Sequence, residues 1–364
     1  MLFTNDGWPR HIGRCFISTR NSYREIRPQP QPTTYDVAVA ARLEIGGLTI
    51  ELPIAAGRVT PVADVSFALK EGESVGIVGE SGSGKTMLAL GLIGLTPPGA
   101  RVRGAALLRT GSAASPCETD LVTASPAQMR AVRGHEIAMI FQEPMTALNP
   151  VLRIGEQIEE AIRVHEPRTA RSEIRRRAVD SLKRVAVPEP ELRARQYPHQ
   201  LSGGLRQRVM IAMALSAGPG VLIADEPTTA LDVTVQKQIL DLLATLRKEL
   251  RLSLVLITHD LGVVSQIADR TIVMYAGRIV EEGPTEEVLR APRHPYTAGL
   301  LRAAPRLSRH KLVPIPGTVP ALDALPPGCS FAPRCERHIT ECDAGMPQLR
   351  TAGDSHEARC ILVT

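Results

Sequence analysis

Residues 75–86 read VGIVGESGSGKT, an apolar strand running into a glycine-rich loop and then into a helix that carries Met87, Leu88, Leu90 and Leu92. Gly79, four intervening residues, Gly84, Lys85 and Thr86 complete a P-loop pattern. Gly79, Gly82 and Gly84 let the backbone bend so that successive N–H groups face inward and form a nest for phosphate oxygens, with Ser81 and Ser83 between them. Lys85 is placed to reach the β- and γ-phosphates, and Thr86 to give its hydroxyl to Mg²⁺. The start of the helix adds its dipole and unpaired N–H groups to the attraction for an anion. An ordinary Gly/Ser turn is the competing explanation, but the full pattern arises by chance in well under ~1% of such chains. By itself the loop says only that a nucleoside triphosphate binds.

What the binding does is read from the strands and turns downstream. The strand EIAMIF leads to Gln142, which can reach Mg²⁺ or an attacking water from the same sheet edge as the P-loop. The run VLIADEP places Asp225 at a strand end, where a carboxylate joins the Mg²⁺ shell, and Glu226 one residue further, where it can orient or deprotonate a water. The strand LSLVLIT ends at His259, a fourth strand end on the edge where open α/β sheets bind ligands. Residues 201–208, LSGGLRQR, open a helix: Ser202 is a candidate N-cap, and Gly203 and Gly204 leave the first N–H groups uncovered as another anion site. TTALD then puts Asp232 on the turn after the Asp225 strand. Taken singly, the Gln is more often a surface residue, the His structural and the Ser-Gly-Gly a capped hinge. Their order in one chain is what gives them weight.

The 364 residues suffice for one large α/β core and a smaller region. No apolar run approaches the ~20 residues that span a bilayer. The net charge of +5 comes from Arg residues scattered among acids, and aromatics at 3% leave little for stacking bases, so nucleic acid is not the expected partner. Such a basic surface also suits an anionic membrane face. Residues 1–35, with RPQPQPTT and no periodicity, read as a disordered leader without the apolar centre of a secretory signal. Alternating segments from about residue 36 read as antiparallel strands, and the Gly/Ala/Ser/Thr-rich residues 97–133 as a strand and loops. Helical periodicity with many Arg and Glu marks an inserted helical subdomain over about residues 143–204.

Four of the six cysteines, Cys329, Cys335, Cys342 and Cys360, gather in the final segment, whereas Cys15 and Cys117 lie apart. Without a signal peptide, metal binding is favoured over a disulfide framework. Four thiolates can hold tetrahedral Zn²⁺ or an iron–sulfur cluster. The intervening five, six and seventeen residues are wider than the short pairs of structural zinc sites and favour a bulkier cluster. Four buried, unliganded thiols are the bland alternative.

In that order GESGSGKT, Gln142, LSGGLRQR, VLIADE, ALD and ITHD resemble the nucleotide-binding subunit of an ABC transporter, over roughly residues 40–345. Finer matches, MRAVRGHEIAMIFQEPMTALNPVLRIGEQIEE, HPYTAGLL and CSFAPRC, resemble the ATPase subunits of dipeptide, oligopeptide and nickel importers. The resemblance implies a RecA-like α/β core with an antiparallel β edge over residues 36–283, and a Cys-containing C-terminal extension over 284–364. It implies that Gly82, Gly84 and Lys85 bind the phosphates of ATP, that Thr86, Gln142 and Asp225 serve Mg²⁺, that Glu226 is the general base and that His259 contacts the γ-phosphate. Ser202, Gly203 and Gly204 would contact ATP held by a second subunit, with Asp232 a link across the dimer. A tail with this Cys pattern is associated in such ATPases with a [4Fe–4S] cluster. Many relatives place an adenine-stacking aromatic near Ala55, Ala56 and Gly57, and none stands here.

The expected function is therefore an ATPase at the cytoplasmic face of a membrane, peripheral, dimerising with an identical or homologous ATPase and driving two permease subunits. An extracytoplasmic binding protein would act indirectly, and peptide is the expected cargo, with nickel the alternative. A soluble ABC ATPase acting on nucleic acid or ribosomes is a further alternative. Its DNA-repair and translational forms carry a long coiled-coil insertion or two cassettes, and neither is present in this sequence.

Overall fold

The computed structural model describes residues 41–112, 115–229, 231–304, 313–353 and 355–363, and the leader expected over residues 1–35 lies outside them. In chain order the strands are β1 (Ala41–Ile54), β2 (Gly57–Lys70), β3 (Ser74–Val78), β4 (Arg101–Ser112), β5 (Ser115–Asp120), β6 (Ile137–Ile140), β7 (Val221–Asp225), β8 (Ser253–Thr258), β9 (Arg270–Tyr275), β10 (Arg278–Pro284), β11 (Arg350–Gly353) and β12 (His356–Ala358). An antiparallel sheet runs β2-β1-β4-β5. The larger sheet runs β11-β12-β10-β9-β3-β8-β7-β6. Its strands β9, β3, β8, β7 and β6 are parallel, and β10, β12 and β11 continue it antiparallel.

Burial explains the two kinds of strand. β3, β7 and β8 are buried along their whole lengths and are apolar apart from Ser74, Asp225, Ser253 and Thr258 at their ends, as central parallel strands are when both sheet faces are covered. Alternate residues serve opposite faces. Val221 and Ile223 of β7 join the core between the two sheets, where helix Lys85–Leu92 contributes Leu88, Ala89 and Leu92 against Leu43, Ile45 and Ile50 of β1. Leu222 and Ala224 face the other way into a helical layer. There Ile154, Ile158 and Ile162 of helix Ile154–His165 and Ile174, Ala178 and Leu182 of helix Arg171–Arg184 recur at helical spacing, leaving the Arg- and Glu-rich faces to solvent.

Two regions differ from the sequence expectation. Residues 97–133 hold the β4–β5 hairpin and, beyond strand and loops, a helix Pro126–Val132 closed by a capping box between Ser125 and Gln128. The Ser-x-x-Gln spacing was the available signal for it. The C-terminal extension is no separate body: β12 pairs with β10 through Glu281↔Ala358 and Glu282↔Glu357. A third core, including Tyr275 of β9, Tyr296 and Phe331, spans the junction. The tail completes its core by covering the sheet edge. At the seam the buried Glu281 carboxylate accepts from the N–H groups of Arg293 (2.7 Å) and His294 (2.8 Å) and bonds His356 Nε2 at 2.8 Å, so its lone pairs are satisfied.

Candidate functional site

The loop after β3 closes over itself as a phosphate nest requires. Gly84 caps helix Lys85–Leu92 at φ 99°, and a Cβ there would run into the Pro61 carbonyl, so both the conformation and the space demand glycine. Lys85 is buried, and its Nζ donates to the carbonyls of Gly79 (2.8 Å) and Glu80 (2.9 Å) and to Ser83 Oγ (3.2 Å). Burial pulls this ammonium below the ordinary lysine range, opposed by the carboxylates of Glu226, Asp225 and Glu80. Ser81 and Gly82 are exposed on the same loop, and Thr86 is exposed in the first turn of the helix.

Asp225 ends β7 in a buried position. Burial raises its carboxyl above the usual range, the Thr86 hydroxyl bond lowers it, and neighbouring Glu226 raises it again. Its Oδ1 has no hydrogen-bond partner among the described residues. An orphaned, buried carboxylate oxygen beside a threonine hydroxyl fits a hard divalent cation such as Mg²⁺.

Glu226, one residue on, gathers the other strand ends. Its Oε2 accepts from Gln142 Nε2 beyond β6 (3.2 Å) and from Thr229 Oγ1 (2.8 Å), while Oε1 lies 3.2 Å from His259 Nδ1 at the end of β8. The residue stands at φ 46°, a left-handed conformation that costs free energy in a non-glycine residue and is found where surrounding structure fixes a functional side chain. Gln142, expected to reach Mg²⁺ or an attacking water, thus lies against the Glu226 carboxylate. A carboxylate anchored by three side chains, with the lysine and the orphaned aspartate nearby, can orient a water and accept its proton beside a phosphate.

Ser202 and Asp232 lie elsewhere. Ser202 caps helix Gly203–Leu215 through Leu205 N–H (3.4 Å), and Asp232 caps helix Val233–Leu250 through Val235 N–H (2.9 Å). The two helix starts pack together, since a Cβ on Gly203 would touch Leu231 and one on Gly204 would strike Val235. Among the described residues no hydrogen bond joins Ser202, Gly203 or Gly204 to the P-loop. Ala55 and Ala56 are exposed at the β1–β2 turn and bring no ring.

Cys329, Cys335, Cys342 and Cys360 are free thiols that line one small cavity with His294, Phe331 and Pro347. The cluster or zinc site expected there is not ready-made: among the described residues no three His, Cys, Asp or Glu side chains are gathered closely enough to hold a metal ion. Burial pushes the Cys329 and Cys335 thiols above their ordinary range, and the neighbouring cysteines add to it, which favours the neutral thiol over the metal-binding thiolate. The donor number and chemistry fit a four-thiolate site, and the spacing as placed does not.

Three contacts were missed in the sequence. Thr229 bonds the Glu226 carboxylate, and its offset of three residues in the turn EPTT was the only hint. Tyr296 and Arg334 hold Glu80 of the P-loop from 216 and 254 residues away, with no local signal.

A family model described as ABC transporter matches residues 62–229, and one described as the oligopeptide/dipeptide transporter C-terminal region matches residues 280–342. A protein of Brucella abortus (strain 2308) named for peptide import and ATP binding is 49% identical over 329 residues, covering 88% of this chain and 96% of that protein. The oligopeptide transport ATP-binding protein OppD of Mycobacterium bovis is 47% identical over 322 residues, 88% of this chain and 51% of that protein. Among solved structures, the ATP-binding cassette MJ0796, a dimer in a post-hydrolysis state with ADP and Pi, superposes with a TM-score of 0.58 at 28% identity, covering 67% of this chain and 98% of that one. The cbiO1 protein of Clostridium perfringens, part of the transporter complex cbiONQ, gives 0.56 at 27% identity, covering 69% and 91%.

Proposed function

The chain belongs to the ABC transporter family, and we propose that it is the ATP-hydrolysing subunit of a peptide importer, closing as a dimer on ATP to drive membrane permeases. The convergence of Gln142, Thr229 and His259 on the Glu226 carboxylate carries this reading. Glu226 is the general base, Asp225 and Thr86 would hold Mg²⁺, and Gly79, Ser81, Gly82, Ser83, Gly84 and Lys85 would hold the phosphates. Mg²⁺ would supply neutralisation of phosphate charge when bound. Gln142 and His259 orient the base and the γ-phosphate. Ser202, Gly203, Gly204 and Asp232 serve the nucleotide of a second ATPase subunit, identical or homologous. No helix among the described residues is long and apolar enough to cross a membrane. In this reading, which rests on what the relatives are named for, the subunit attaches peripherally, on the cytoplasmic side, to two permease subunits served by an extracytoplasmic binding protein. Peptide cargo is supported by what the relatives are named for and by the match of residues 280–342.

Co-reconstituted with its permeases in proteoliposomes, the protein is expected to drive uptake of a labelled oligopeptide only with Mg²⁺ and ATP, and Lys85→Ala is expected to abolish it. Transport of Ni²⁺ with no peptide uptake would overturn the cargo. Hydrolysis undiminished in Lys85→Ala would overturn the site.

For the tail, the proposal extends to an iron–sulfur cluster held by Cys329, Cys335, Cys342 and Cys360, supported by four thiols around one cavity and requiring them to draw together and ionise from the positions they hold here. Such a cluster would staple a segment whose turns Ala332–Arg334 and Thr340–Asp343 and strands β11 and β12 are all very short. Protein purified without oxygen should be brown, with iron and sulfide in comparable amounts, and Cys335→Ala should bleach it and open the tail to protease. Colourless anaerobic protein with stoichiometric zinc would replace the cluster by zinc, and metal-free protein with a protease-resistant tail would remove both.

A further inference from the structure

Glu80, the first variable residue of the P-loop, is held at three points. Its carbonyl accepts from Lys85 Nζ (2.9 Å), a contact within the loop. The other two come from the C-terminal region. Glu80 N–H donates to the Tyr296 hydroxyl at 2.8 Å, and the Glu80 carboxylate takes a two-pronged bond from Arg334, Nη1 to Oε2 at 2.7 Å and Nη2 to Oε1 at 3.0 Å. The Arg334 side chain is only 4% exposed. Its Nε donates to the Pro316 carbonyl at 2.8 Å, and its guanidinium lies 5.8 Å from the centre of the Tyr275 ring. Tyr275, Tyr296 and Phe331 pack edge to face or tilted around it, with ring centres 4.6–5.3 Å apart. A fork bonded to a carboxylate and fixed by rings and a carbonyl has few alternative rotamers, so it holds Glu80 in one place.

Arg334 also ends the short turn Ala332–Arg334, bounded by two of the four thiols. Ala332 N–H donates to the Cys329 carbonyl (2.9 Å) and Cys335 N–H to the Ala332 carbonyl (3.2 Å), so the turn that aims Arg334 is built between Cys329 and Cys335.

We propose that Arg334 and Tyr296 are positioning residues for ATP: by fixing Glu80 from both its N–H and its carboxylate, they set the shape of the phosphate loop, and they make ATP affinity depend on the folded thiol-bearing tail. The proposal rests on the reading of residues 79–86 as the ATP site. A phosphate nest works only when its N–H groups are held in register before the ligand arrives, because otherwise binding must supply the ordering. The Glu80 N–H faces Tyr296, so Glu80 acts as the loop's fixed post, and the carbonyl that receives Lys85 sits on that post.

The test is equilibrium titration of the full-length protein with a fluorescent ATP analogue and Mg²⁺, with steady-state hydrolysis alongside. Arg334→Gln is expected to raise both Kd and KM about tenfold with kcat within about twofold, the signature of lost ground-state positioning. Arg334→Lys, which keeps charge but not the fork, should recover part of the affinity. Glu80→Gln should resemble Arg334→Gln, and the double variant should bind no more weakly than the weaker single one. As a control, Val288→Ala opens a gap in the same buried cluster without touching Glu80 and should lower thermal stability while leaving KM unchanged. Unchanged affinity in Arg334→Gln, additive losses in the double variant, or an equal KM rise in Val288→Ala would overturn the proposal. Equal ATP binding by wild type and Lys85→Ala would instead overturn the ATP site itself.

Discussion

In Glu226→Gln protein, turnover is expected to fall by about 10²–10⁴-fold while ATP affinity stays close to that of the wild type, the loss typical of removing a positioned general base. The separation follows from the geometry. Glu226 touches Gln142, Thr229 and His259, and none of its hydrogen bonds runs to the residues of the phosphate loop. A glutamine there has the same shape, still accepts from Gln142 and Thr229 through its oxygen, and can donate to a His259 Nδ1 that lacks a proton. It cannot take a proton from water. Nucleotide should therefore bind and close the dimer, and the protein should accumulate as an ATP-bound dimer on size exclusion. Near-normal phosphate release by the variant would remove Glu226 as the base and direct attention to His259, the more exposed of the pair at 60% against 15%.

The parts of this site legible in the sequence share one physical property. Parallel strands buried on both faces must be largely apolar, so the point where each run gives way to polar residues marks the sheet edge where chemistry is possible. Asp225, His259 and the P-loop were found that way, and neighbouring β7, β8 and β3 place them side by side. One helix cap was legible for a related reason: Ser202 precedes an apolar helical run and does cap it, whereas the cap that Asp232 gives helix Val233–Leu250 was not read from its turn. What could not be read are contacts between distant segments that leave no period. Arg334 is one arginine in a Pro- and Cys-rich stretch, and nothing near it in sequence announces Glu80. β12 spans only three residues, too short for alternation to register, so the joining of the tail to the large sheet was hidden. Gln142 is expected at this edge, on Mg²⁺ or the attacking water, and its contact with Glu226 had no signal in the sequence. The sheet order puts β6 beside β7, and its side chain meets Glu226 across that neighbour.

Ser202→Arg is expected to abolish ATP turnover while leaving the ATP affinity of the isolated subunit unchanged. Among the described residues Ser202 is exposed and its side chain bonds its own helix, through Leu205 N–H, so the local cost of the substitution is a lost cap, typically about 1 kcal/mol. That is too little to unfold the chain or to disturb a P-loop to which Ser202 makes no bond. The harm should arise on closure, where a bulky cation would replace the hydroxyl and exposed N–H groups offered at the start of helix Gly203–Leu215 to a phosphate on the other subunit. Mixing makes the division of labour visible. Ser202→Arg keeps an intact phosphate loop, and Lys85→Ala keeps an intact Ser-Gly-Gly helix start, so a mixed dimer contains one site with both halves sound. With random pairing, roughly a quarter of wild-type turnover should return, because about half the dimers are mixed and each has one working site of two. Recovery of that size identifies a second copy of this chain as the partner. No recovery with these two variants, but recovery when each is paired with a homologous ATPase, assigns the partner to that second chain. A marked loss of ATP affinity in monomeric Ser202→Arg protein would place Ser202 on its own subunit's nucleotide and overturn the shared site.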